Sequence, residues 1–187
     1  MMNVYEAWQT GRTVRKHTMH VLRRENTAEH SWGVVLLVLR YAPYASAKFT
    51  AAAHMHDAGE GRTCDVPAHL CWEFPDLKNA IEAKECEAIA EALYQPGSPW
   101  DPINVFDLTS DEKLFLEVAD RAEFVLGCLY DLHMGNRLVL VPLQRAYVKA
   151  RDTSREITPG SDLSESALRL MQDIGGLVNK EKINGCE

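Results

Sequence analysis

The chain has 187 residues, 46% of them apolar and 25% charged, with a formal net charge of −7. That length buries a core without help from disulfides or structural metal and is read as one domain over 1–187, while the negative balance excludes a general nucleic-acid-binding surface, though not a local basic pocket. The longest apolar run, 34–39, is far too short to span a bilayer, and the five cysteines (Cys64, Cys71, Cys86, Cys128, Cys186) contain no C-x-x-C pair, as expected in a reducing compartment. With no N-terminal signal pattern, the expected location is the cytoplasm, with neither a membrane nor polymeric nucleic acid as partner.

Taken in order, residues 3–10 predict a short helix with Val4, Tyr5 and Trp8 on one side, serving as a packing cap. The stretch 11–24 has no helical or strand period. It carries seven residues that are cationic or can become so (Arg12, Arg15, Lys16, His17, His20, Arg23, Arg24) and reads as a basic loop. From Asn26 the pattern turns helical: Asn26 or Thr27 caps, Glu29 lies in the first turn, and Trp32, Val35, Leu36 and Leu39 are expected to face the core. Pro43 closes that helix, and 45–58 resumes as an alanine-rich helix with His56 and Asp57 at its C-terminal end. The stretch 61–67 reads as a turn, and Pro75 opens a helix to about Tyr94 that points Ile81, Ala88, Ile89 and Leu93 inward.

Three prolines and a glycine make 95–102 the strongest loop signal. Thr109 or Ser110 then caps a helix whose apolar stripe is Leu114, Phe115, Val118, Ala122, Val125, Leu126 and Leu129, with Asp120 inside it. After Gly135-Asn136, the stretches 138–150 and 164–178 read as further amphipathic helices. No strand alternation appears, so the fold class is all-α, with about six or seven helices.

The chemistry concentrates in His54-Met55-His56-Asp57-Ala58-Gly59-Glu60. Adjacent residues on a helix point about 100° apart, so His56 and Asp57 reach one metal only at the helix flank, and further ligands must come from elsewhere. His30 is one candidate, although a lone helical histidine is more often hydrogen-bonded structure than a ligand. Asp120 is another, because a carboxylate among Val118, Ala119 and Ala122 needs an arginine, a helix terminus or a metal to offset its burial. Two histidines and two carboxylates suit a divalent transition metal with an open position for water or a phosphate oxygen.

Four segments carry a family pattern: Arg23-Arg24-Glu25-Asn26-Thr27-Ala28-Glu29-His30-Ser31-Trp32, His56-Asp57-Ala58-Gly59-Glu60, Thr63-Cys64-Asp65-Val66-Pro67, and Ser110-Asp111-Glu112-Lys113 leading to Ala119-Asp120. On them, over roughly residues 12–136, the chain resembles the HD-domain phosphohydrolases, in the group with bacterial 5'-deoxynucleotidases and phage dATP-type deoxynucleotide triphosphohydrolases. The resemblance implies a compact helical fold and one divalent ion (Zn, Co, Mn, Fe or Mg) held by His30, His56, Asp57 and Asp120. It also implies that Glu60 handles protons or positions water, that Arg15 meets the phosphate, and that Asp65 lies near the deoxyribose. The implied reaction takes a deoxynucleoside monophosphate to deoxynucleoside and phosphate, or a triphosphate to deoxynucleoside and triphosphate. Relatives assemble as dimers or larger homo-oligomers, which exposed apolar positions in the last helix would permit; a phage relative works in the host cytoplasm.

Three departures bear on the substrate. Lys16 stands where relatives carry an aromatic after the arginine, placing a cation toward base or sugar. Cys71 and Glu117 replace lysines, and losing two phosphate-side cations leans toward the monophosphate. Two other readings stay open at this level: an HD hydrolase of another phosphorylated nucleotide or signalling metabolite, and a non-catalytic nucleotide-binding module.

Overall fold

A computed structural model describes residues 2–93 and 106–181, and the expected loop 95–102, Tyr94 and Cys186 lie outside them. The described residues form an all-α chain: α1 (Val4–Gln9), a 3-10 turn (Thr10–Arg12), α2 (Thr27–Tyr41), α3 (Ala47–Met55), α4 (Glu60–Thr63), α5 (Ala68–Glu73), α6 (Pro75–Leu93), α7 (Ser110–His133), a second 3-10 turn (Arg137–Val139), α8 (Leu140–Ser154) and α9 (Asp162–Lys180). Six of these helices have nine residues or more, in line with the six or seven expected, and α1, α4 and α5 are short additions. The sole strand-like pairing among described residues is an isolated antiparallel bridge between Val14 and Asn26. No described helix is long and apolar enough to cross a membrane.

The chain divides into two compact units, Met1–Met19 with Arg24–Trp32 and Ala51–Asp107, and His20–Arg23 with Gly33–Thr50 and Leu108–Glu187. In the first, Asn3 caps α1 by accepting from the N–H groups of Tyr5 and Glu6, while the Glu6 carboxylate accepts from Asn3 N–H. The expected packing cap is corrected: Val4, Tyr5 and Trp8 are 88%, 61% and 61% exposed. The chain is anchored instead by buried Met2 and Thr10 on either side of α1.

The face of α2 also differs from expectation. Asn26 makes the cap, accepting from Glu29 N–H at 2.9 Å and donating to its carboxylate at 3.3 Å. The buried positions, however, are Thr27, His30, Ser31, Val34, Leu37 and Val38, whereas Trp32, Leu36 and Leu39 are exposed. Residues 34–39 are apolar on every side of the helix, so periodicity alone had no polar face by which to set the phase.

α3 ends at Met55, earlier than expected, and His56 and Asp57 lie in the turn beyond it, where Ala58 N–H donates to Met55 O and Glu60 N–H to Asp57 O. Residues 60–63, partly assigned to a turn by their glycine, instead form the single turn α4. Gly59 and Gly61 allow that turn to pack: a Cβ on Gly59 would lie 2.4 Å from Glu85 Cβ on α6, and one on Gly61 2.9 Å from Thr10 Cα. α4 stops at Cys64, whose φ of 63° and ψ of 165° fall in a region used almost only by glycine.

In the second unit, Thr109 and Glu112 form the expected capping box on α7. Phe115, Val118, Ala122, Val125 and Leu129 are buried there, and α8 and α9 pack on α7 and on each other. Phe49 and Phe115 meet edge to face with ring centroids 6.2 Å apart. Ser161 caps α9, which buries Ala167, Leu170, Met171, Ile174 and Val178 at helical spacing and leaves Leu168 and Leu177 exposed.

Candidate metal centre

Within the first unit, the start of α2 and the turn after α3 bring three donor atoms together. His30 Nε2 and His56 Nε2 are 3.3 Å apart, and Asp57 Oδ2 lies 3.3 Å from the first and 3.2 Å from the second. His56 Nδ1 is 2.8 Å from the carbonyl oxygen of Ala53. A carbonyl only accepts, so Nδ1 carries a ring proton, and Nε2 is the nitrogen that faces the other two donor atoms. His30 is fully buried, and the Asp57 side chain keeps 21% of its exposure.

The near-equilateral triangle of donors fits a metal. Ligand atoms 2.0–2.1 Å from a tetrahedral centre stand about 3.3–3.4 Å apart, which is the edge length found here. Burial opposes ionisation of Asp57, but the charge of His56, hydrogen bonds from His30 and His56, and Arg15 outweigh it and hold the carboxyl well below its usual range. Asp57 is therefore ionised at neutral pH. Asp120 lies in α7 of the second unit, partly buried, directly after buried Val118 and Ala119.

Arg15 and Glu60 stand beside the triangle. The Arg15 guanidinium contacts Asp57 and donates to Glu60 Oε1 at 3.0 Å, both side chains being mostly buried. Glu60 is pushed up to about 7 by burial and by the charge of Asp57, against the opposing pull of Arg15. A carboxyl in that range exchanges protons near neutrality, which is what general acid–base work requires. Asp65 accepts from the Lys16 backbone N–H at 2.8 Å and lies 3.5 Å from His17 Nδ1. The Lys16 ammonium turns to Glu25, 2.6 Å from its Oε1.

Three neighbours were not among the expected site residues. Thr27 donates its hydroxyl to Glu60 Oε2 at 3.3 Å, Glu25 pairs with Lys16, and Glu85 accepts from the Thr63 hydroxyl at 2.7 Å behind the turn. Each depends on a tertiary meeting of segments that leaves no local periodicity. The departures are placed too: Cys71 is a partly buried free thiol, and Glu117 pairs with Arg121 one helical turn on.

Two histidine nitrogens and an ionised aspartate, on a helix and the turn after its neighbour, form a cluster that could hold a metal ion. The family model described as HD domain matches residues 9–136, and the chain belongs to that family. Comparison with curated proteins gives no match. Among solved structures, the HD phosphohydrolase DatZ of cyanophage S-2L, bound to dA and one catalytic Zn2+ ion, is similar over 94% of this chain and 98% of that one. Its TM-score is 0.71 at 17% identity, a likeness of fold.

Proposed function

We propose that the chain is a metal-dependent phosphohydrolase that cleaves the 5'-phosphate ester of 2'-deoxynucleotides. The observation that carries this reading is the triangle of His30, His56 and Asp57 with a proton-exchanging Glu60 and a guanidinium directly beside it. A closed structural metal site has no use for such neighbours. The similarity to a phosphohydrolase bound to dA and zinc supports the substrate class.

In this reading His30, His56, Asp57 and Asp120 hold one divalent ion. Once bound, that ion supplies Lewis acidity, neutralising phosphate charge and lowering the pKa of water. Glu60 takes a proton from the attacking water as the new oxygen–phosphorus bond forms. It returns a proton to the 5' oxygen as the ester bond breaks, leaving a deoxynucleoside and phosphate, or triphosphate from the longer substrate. Arg15 binds the phosphate oxygens and Asp65 faces the sugar, disfavouring a 2'-hydroxyl. With Cys71 and Glu117 in place of two cations, the monophosphate is the narrowly preferred substrate. The exposed Leu168 and Leu177 of α9 support a homo-oligomer, and the free thiols support a cytoplasmic setting.

The test is incubation of purified protein with Mn2+, Co2+ or Zn2+ and a panel of deoxy- and ribonucleotide mono- and triphosphates. Release of phosphate or triphosphate from the deoxy members is expected; no release from any member would overturn the proposal. Equal turnover of ribo and deoxy substrates would favour a broader nucleotide hydrolase.

A further inference from the structure

Lys16 adopts φ 57°, a left-handed conformation that side-chain-bearing residues avoid unless their surroundings hold them there. Three contacts do so, all within the first unit. Its N–H donates to Asp65 Oδ2 at 2.8 Å, its carbonyl accepts from Met19 N–H at 3.0 Å, and its ammonium lies 2.6 Å from Glu25 Oε1. The two side chains retain 8% and 15% of their exposure, so this pair is largely shielded from solvent. Glu25 is engaged at its backbone as well, where its carbonyl accepts from Arg15 N–H at 3.0 Å beside the Val14–Asn26 bridge.

Asp65 follows a strained residue on its own side. The preceding residue, Cys64, has φ 63°, so both chain segments that meet at the Asp65 carboxylate pass through left-handed non-glycine residues. Such paired strain persists where contacts over-determine it, and Glu25 is the group that grips residues 15 and 16 together.

We infer that Lys16 and Glu25 form a positioning pair: the ion pair holds the Lys16 backbone in its left-handed turn, and the Lys16 N–H aims Asp65 at the sugar. The cation therefore acts through Asp65 and not by touching the nucleotide. This rests on the proposed reading of Asp65 as the sugar-facing carboxylate, and it assigns the Lys16 departure to the positioning of Asp65 instead of a direct contact with base or sugar. A lysine that met substrate directly would leave its ammonium toward the ligand; here it turns toward a largely buried carboxylate.

The experiment compares the full-length chain, metal-loaded, with Lys16→Met, Glu25→Gln, the double variant and Lys16→Arg. The first readout is amide hydrogen exchange at residue 16, which needs no activity. The second is the ratio of kcat/KM for a deoxynucleotide over its ribo counterpart. Losing one hydrogen bond to a charged acceptor corresponds to about tenfold, so both single variants should speed exchange at residue 16 by about tenfold or more and lower the sugar ratio in the same direction. The double variant should be no worse than the poorer single, and Lys16→Arg should restore both readouts. Unchanged exchange in Glu25→Gln overturns the inference. So does a split in KM, with Lys16→Met raising it and Glu25→Gln lowering it, because that pattern belongs to an ammonium in direct contact with substrate. If the wild type turned over no nucleotide, the functional reading would fail while the exchange readout would still decide whether Glu25 holds Lys16 in place.

Discussion

His56 Nδ1 lies 2.8 Å from the carbonyl oxygen of Ala53, one turn earlier in α3, and this contact commits the opposite nitrogen to the centre. Holding the ring by its Nδ1–H side fixes its orientation before an ion arrives. His56→Ala should therefore abolish stoichiometric metal binding, read by elemental analysis after dialysis. A ligand present at a hundred times its dissociation constant stabilises the folded state by about 2.7 kcal/mol, so added Zn2+ or Mn2+ should raise the wild-type melting temperature and leave that of His56→Ala unmoved. An equal rise in both proteins would remove His56 from the ligand set.

Glu60 gives the metal-free protein a pH signature. Its folded-state pKa of about 7 lies above the ordinary 4.5, owing first to burial and then to the charge of Asp57. The folded state binds this proton more tightly than the unfolded state does. The stabilising contribution is thus complete below 4.5 and is lost as pH rises toward about 7. Asp57 has the opposite sign, and its contribution disappears only in acid well below 3.8. Urea unfolding of the metal-free chain should show stability falling across the Glu60 window, and Glu60→Gln should flatten that slope. A slope that survives the substitution would assign it to another group.

Cys64 closes α4 in a conformation that glycine tolerates and cysteine does not. Cys64→Gly should raise unfolding stability by about 1 kcal/mol, since strain of this kind costs about 1–3 kcal/mol and glycine's greater unfolded freedom cancels part of the gain. Denaturant titration decides it, and a loss of stability would mean that the thiol makes a contact worth more than the strain.

Gly59 presents the reverse case. Its φ of −61° suits any residue, but an added Cβ would lie 2.4 Å from Glu85 Cβ and 2.6 Å from its Cα. A backbone neighbour on α6 cannot swing aside as a side-chain tip can. Gly59→Ala should destabilise the chain by about 1–3 kcal/mol in chemical unfolding, the usual range for overpacking. A neutral effect would show that α6 shifts freely against the turn.

How much of this was legible beforehand depends on the kind of signal. The caps at Asn26 and Thr109 and the stripe of α7 were readable because polar caps and apolar spacing are local properties. His56, Asp57 and Glu60 stood out by adjacency, whereas His30, a weak candidate alone, was singled out as a ligand only with the family resemblance. The phase of α2 was not legible: with 34–39 wholly apolar, burial of Val34, Leu37 and Val38 and exposure of Leu36 and Leu39 are set by what packs against the helix. Val4, Tyr5 and Trp8 mislead in the same way, because spacing shows that residues share a side but not that anything covers it. Thr27 and Glu25 acquire their roles only where 13–16 meets 25–27, a pairing of one bridge with no strand pattern to announce it.

The most direct test of the central claim is turnover of a deoxynucleoside monophosphate by metal-stripped protein titrated with Mn2+ or Zn2+, run beside Glu60→Gln. Wild-type phosphate release should rise to a plateau at one ion per chain. Glu60→Gln should keep the ion and lose about 10²- to 10⁴-fold in kcat, the usual worth of a general acid–base group. Undiminished turnover by Glu60→Gln, or release that is indifferent to metal, would contradict the claim.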